Sequence, residues 1–113
     1  MLVYIAGAYR AETPGGVLAN IGRAADLAVE VLRLGHDVIC PHTMTHPFEV
    51  YGLADEVYLR NGLAQLERCD AVLVVPGPGL EQSEGTAIEV RTALEEGIPV
   101  YATVEELGGW EGL

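Results

Sequence analysis

A doubly wound α/β domain is predicted by three observations. Ala71-Val72-Leu73-Val74-Val75 is apolar without alternation, as in a strand covered by helices on both faces. That strand leads into Pro76-Gly77-Pro78-Gly79 and then Ser83-Glu84-Gly85-Thr86, a glycine loop opening a helix. Strand and helix patterns alternate along the whole chain, the order expected of a parallel sheet with right-handed crossovers.

A first strand spans Val3–Ala6 and runs into Gly7-Ala8-Tyr9-Arg10, followed by a loop containing Thr13-Pro14-Gly15-Gly16. From Asn20 to Leu34, the apolar residues Ile21, Ala24, Ala25, Leu27, Ala28, Val31 and Leu32 recur at helical spacing, and Gly35 stops the helix. Asp37–Cys40 is a short second strand ended by Pro41. Thr43–Gly52, with Pro47 and Gly52 inside it, reads as a loop over the strand ends. A helix over Asp55–Arg68, a third strand over Ala71–Pro76, a helix over Gly85–Glu96 and a fourth strand over Ile98–Ala102 complete the pattern. The prediction is one three-layer domain over residues 1–113, flavodoxin-like or Rossmann-like, with four to five parallel strands in the order 2-1-3-4. In such sheets ligands bind beyond the carboxyl ends of the strands where the order reverses, here between strands 1 and 3.

Composition narrows the partners. Seventeen acids stand against six Lys plus Arg, a formal charge of −11, which argues against DNA, RNA or another polyanion. There is no Lys, so a phosphate must be met by Arg10, Arg23, Arg33, Arg60, Arg68, Arg91 or backbone amides. No apolar run reaches the roughly 18 residues of a membrane span, and Met1-Leu2-Val3-Tyr4 enters a strand without a basic leader, so a cytoplasmic location is expected. Cys40 and Cys69 form no C-x-x-C pair and read as buried free thiols. Cys40, His42 and His46 are zinc-ligand types at short spacing, but a fourth ligand is missing and Pro41 interrupts them, so no metal is expected. The tail from Val104 to Leu113 carries Trp110 among Gly108, Gly109 and Gly112 and reads as a subunit contact.

Each candidate site residue has a structural alternative. Ser83 suits a helix N-cap, and its hydroxyl also lies where a phosphate would sit; Gly85 and Thr86 either build the turn or supply N–H donors to an anion. Thr86-Ala87-Ile88-Glu89 fits a capping box, in which Glu89 reaches back to the cap. Against that stands convergence, because Tyr4, the loop Gly7–Arg10 and Ser83–Glu89 all meet at one switch point. Gly7 suits a tight turn, Arg10 a solvated surface, and His42 either a ligand contact or a helix cap. A phosphate clamp beside a carboxylate points to chemistry on a nucleotide sugar.

At these residues the chain resembles the nucleoside 2-deoxyribosyltransferase superfamily, and especially its small bacterial and phage branch. The likeness runs from Val3-Tyr4-Ile5-Ala6-Gly7 to Gly97-Ile98-Pro99-Val100-Tyr101. The resemblance implies that Glu89 is the nucleophile attacking the anomeric carbon, that Tyr4 hydrogen-bonds it, and that Ser83 meets a 5′-phosphate. It also implies that Gly7, Ala8, Tyr9 and Arg10 line the sugar and phosphate. The string Gly85-Thr86-x-x-Glu89 is similar, too, to phosphoribohydrolases that release cytokinin bases. Related sequences carry an Asp upstream of the Cys69-Asp70 pair where this chain has Gly62; Asn61, Asp55 and His42 are the candidate substitutes for its role in proton donation. The implied activity is cleavage or transfer of an N-glycosidic bond on a nucleoside or nucleoside 5′-monophosphate, without metal or redox cofactor, by a homodimer or larger homo-oligomer. The alternative is a nucleotide-binding or sensing module that kept the pocket and lost catalysis, and a purely structural protein, with Glu89 only a cap, is the third reading.

Overall fold

The computed structural model describes residues 1–109. Four strands, β1 (Leu2–Ala6), β2 (Asp37–Ile39), β3 (Ala71–Val74) and β4 (Val100–Tyr101), form one parallel sheet in the order β2-β1-β3-β4. Leu2 lies opposite Asp37, Val3 opposite Ala71, and Val72 opposite Val100. The expected strand order is the observed one, and the chain reverses direction across the sheet between β1 and β3.

The two central strands are apolar throughout because both of their faces are covered. Val3 and Ile5 face one core with Ala71 and Leu73, packed against Ala24, Ala28 and Val31 of helix α1 (Pro14–Arg33). Tyr4, Ala6 and Val72 face the other core, with Leu66 of α3 (Asp55–Leu66) and Ala93 of α4 (Glu84–Glu95). Alternate residues of one strand thus fill opposite layers, and this sends Tyr4 toward α3 and α4.

Several boundaries differ from expectation for identifiable reasons. Helix α1 begins at Pro14, six residues before Asn20, because Thr13 accepts from Gly16 N at 3.0 Å and Pro14 occupies the first helical turn. The Pro-Gly-Gly string that reads as a loop is therefore a helix start. A first-turn proline, here without a side-chain cap, also corrects Thr43–Gly52: Pro41 opens a short helix, α2 (Pro41–Thr45), and a 3-10 helix follows over His46–Tyr51 with Pro47 in its first turn. Gly52, at φ 66°, ends it. Beyond β4, part of the expected tail is helix α5 (Val104–Leu107), capped by Thr103, with Leu107 buried in the α1-side core. His36, itself buried, donates from Nε2 to the Gly108 carbonyl at 2.8 Å and fastens this segment to the start of β2. Trp110, expected at a subunit contact, lies outside the described residues. No described helix is long and apolar enough to cross a membrane.

Candidate active site

Tyr4 sits at the centre of β1, fully buried, and its hydroxyl donates to Oε2 of Glu89, 85 residues away in sequence. Glu89 lies in the second turn of α4, half-buried. Burial pushes its carboxyl up to about 7, against the Tyr4 hydrogen bond, which lowers it. Burial, then the neighbouring Glu89 charge, hold the Tyr4 phenol far above its usual range. The phenol accordingly stays protonated and donates, while the carboxyl takes or releases a proton near neutrality.

The capping box is corrected by this geometry. Ser83 is the N-cap of α4: its Oγ accepts from Thr86 N at 3.2 Å and hydrogen-bonds Thr86 Oγ1 at 2.7 Å. Thr86, buried, is the third residue of the helix, and Glu89 has turned away from the cap to meet Tyr4. Ser83 and Thr86 also border a shallow groove of about 410 Å³, walled by Val74, Leu80, Val90 and Arg91, with Glu89 outside its lining. Gly85 is the second residue of the helix, and a side chain there would meet nothing within 4 Å.

The loop after β1 forms a second constellation. Gly7 is required by a close approach, not by a turn: a Cβ there would lie 2.8 Å from Cβ of Val75, and its φ is not positive. The Ala8 carbonyl accepts from Nε2 of His42 at 3.0 Å. Tyr9 hydrogen-bonds His46 Nδ1 at 2.6 Å and meets the His42 ring edge-on at 5.5 Å. Arg10 lies 5.2 Å from the Tyr9 ring centre and donates to Glu49 at 3.1 and 3.2 Å and to Asp55 at 2.8 Å. Its guanidinium is thus shared between two carboxylates in solvent. His42 is 6% exposed. Burial pulls its imidazole below the ordinary range, against hydrogen bonds to the Ala8 and Gly7 backbone, so the ring is neutral, with Nδ1 buried and unpartnered among the described residues.

Gly62 and Asn61 separate on α3. Gly62 is buried against the Tyr4 and Glu89 pair, whereas Asn61 is exposed, its carbonyl accepting from Gln65 Nε2 at 3.4 Å. Asp55 belongs to Arg10 and not to the pair. The two thiols are free and buried, and burial pushes Cys69 up to about 11. No group of three or more His, Cys, Asp or Glu able to hold a metal occurs among the described residues.

Two residues, Asn20 and Tyr58, were not singled out from sequence. Asn20, buried in α1, donates to the Tyr9 and Arg10 carbonyls at 3.0 and 3.4 Å and accepts from Arg23, which lies across Gly77 of the glycine loop. Tyr58, one helical turn before Gly62, has a buried hydroxyl with no partner among the described residues. An Asn on an apolar helix face and the Tyr58-x-x-x-Gly62 spacing are the signals that point to them.

Fold and site together define a doubly wound α/β domain with a buried carboxyl and phenol pair beside its switch point. The architecture is similar to that of a 2-deoxyribosyltransferase from the psychrotolerant bacterium Bacillus psychrosaccharolyticus, with a TM-score of 0.61 at 20% identity, covering 88% of this chain and 69% of that one. Residues 2–105 match the family described as Domain of unknown function (DUF1937), and the chain belongs to that family. No curated protein matches it.

Proposed function

We propose that the protein cleaves or transfers the N-glycosidic bond of a nucleoside or nucleoside 5′-monophosphate, with Glu89 as nucleophile. The observation that carries this reading is the Glu89 carboxyl, raised to about 7 and hydrogen-bonded by a buried phenol, in a fold shared with a 2-deoxyribosyltransferase. Ionised Glu89 attacks C1′ as the bond to the base breaks, through an oxocarbenium-like transition state. The bonding pair leaves with the base nitrogen, which takes a proton from solvent, and a glycosyl ester remains on Glu89. Water or a second base then attacks C1′ and releases the carboxylate. Tyr4 holds Glu89 in line for both steps. Ser83, the Gly85 amide and the loop Gly7–Arg10, with Thr86 and His42 beside them, receive the sugar and its 5′ end. No step calls for a metal or redox cofactor.

The test is incubation with ribo- and deoxyribonucleosides and their 5′-monophosphates, with released base read by chromatography. Base release that disappears in Glu89→Ala supports the reading, and release unchanged in that variant refutes it. The second reading, a nucleotide-binding module without turnover, is favoured by Gly62, which brings no acid to the pair; it expects a raised melting temperature with ligand and no free base. Self-association is part of the proposal, supported by the exposed Phe48, Val50 and Tyr51 of the 3-10 helix, and sedimentation velocity tests it.

A further inference from the structure

We propose that Gly62 is a positioning residue: the missing side chain on this turn of α3 is what lets the Tyr4 hydroxyl remain on Glu89. A Cβ at position 62 would lie 2.5 Å from the Tyr4 hydroxyl oxygen, 3.7 Å from the ring carbon that bears it, and 3.5 Å from Oε2 of Glu89. The first distance is closer than any real contact, so one of the groups has to move. The ring is fully buried on a central strand, and a tyrosine has only two side-chain torsions with which to retreat. Swinging it takes the hydroxyl away from the carboxylate; keeping it pushes α3 off the sheet.

Backbone conformation does not explain the glycine. Gly62 is helical, its φ is not positive, and glycine inside a helix is unfavourable relative to alanine. Gly22 of α1 is the contrasting case, since a Cβ there would meet nothing within 4 Å. One helical glycine is sterically optional, and the other stands against the candidate catalytic pair. Tyr4, from β1, is the titratable group that faces Glu89; Cys40 and Cys69 act on the phenol, and α3 brings none at position 62.

The experiment compares the wild type with Gly22→Ala, Gly62→Ala, Tyr4→Phe and the double variant Tyr4→Phe/Gly62→Ala by thermal unfolding and by carboxyl-carbon NMR titration of Glu89. Gly22→Ala is expected to raise the melting temperature by a few degrees. Gly62→Ala is expected to lower it by roughly 5 °C or more in the wild type and to raise it in the Tyr4→Phe background, where the atom it strikes is gone. The Glu89 midpoint should move above about 7 in Gly62→Ala, to the value Tyr4→Phe gives it, and no further in the double variant. If Gly62→Ala alone does not fold, folding of the double variant is the same rescue. The proposal is overturned by a Gly62→Ala that melts higher than the wild type, by an equal loss in both backgrounds, by an unmoved Glu89 midpoint, or by a double variant that does not fold. The consequence for turnover, a fall in kcat near neutral pH at preserved KM, rests on the proposed glycosidic activity. Melting and titration use no substrate, so they decide the role of Gly62 whether or not base is released.

Discussion

Two polar clusters stand near the carboxyl ends of β1 and β3, and they are built on opposite principles. Tyr4 and Glu89 share one hydrogen bond inside the α3/α4 layer, and no basic group meets them among the described residues. Arg10, Glu49 and Asp55 form an ion network at the surface, with the Arg10 and Asp55 side chains 53% and 73% exposed. In the first, burial dominates and shifts a carboxyl into the physiological range; in the second, water screens charges that are already compensated. The contrast shows that the shift at Glu89 comes from withholding solvent and counter-charge, not from collecting charges. The buried pair is where a substrate reaction is to be sought, and the rim is a clasp tying the loop after β1 to the 3-10 helix and the start of α3.

The largest effect that sharpens this comparison is on turnover. Glu89→Gln should depress base release by at least ~10³-fold, since it removes the proposed nucleophile while keeping the shape, and single-turnover chromatography measures it. Next comes the pH dependence of stability. A carboxyl raised from 4.5 to about 7 binds its proton more tightly in the folded state, so its contribution falls as pH rises through that interval. The wild type should therefore lose up to ~3 kcal/mol relative to Glu89→Gln on going from about pH 4 to about pH 8, as read by denaturant titrations. A flat difference would break the contrast, because Glu89 would then behave like a solvated acid.

Tyr4→Phe should cost about 1–3 kcal/mol, by leaving a carboxylate oxygen unsatisfied, and should shift the acid limb of the rate profile upward, because the lost bond was the one lowering Glu89. The smallest effect belongs to the rim. Arg10→Met is expected to change stability by no more than ~1 kcal/mol, and by less in high salt, measured by thermal unfolding at two ionic strengths. A loss above 3 kcal/mol would mean that the network is shielded from water after all.

Much of the fold was legible because its signals are local. Unalternating apolar strands announce a sheet covered on both faces, and the helical recurrence of Ala24, Ala28 and Val31 marks a buried stripe. Thr13-Pro14-Gly15-Gly16 and Thr43–Gly52 read as loops because proline and glycine mark loops and helix starts alike; at Thr13 a side-chain capping bond marks the helix, whereas the helix opened by Pro41 has none and only packing reveals it. The site was legible in part. Ser83 is an N-cap, as its residue type suggests, but Ser83 and Thr86 both fit a cap, and the choice between them decides where Glu89 points.

From the sequence alone came the element order, the parallel sheet with strands in the order 2-1-3-4, and the residues worth suspecting, because periodicity and turn chemistry depend on near neighbours. Tertiary structure alone decided the partners. Tyr4 meets Glu89 across 85 residues, and Arg10 meets Glu49 and Asp55 across 39 and 45. A shifted pKa, a clash at Gly62 and an orphaned nitrogen on His42 are properties of the space around an atom, and only packing sets what fills that space.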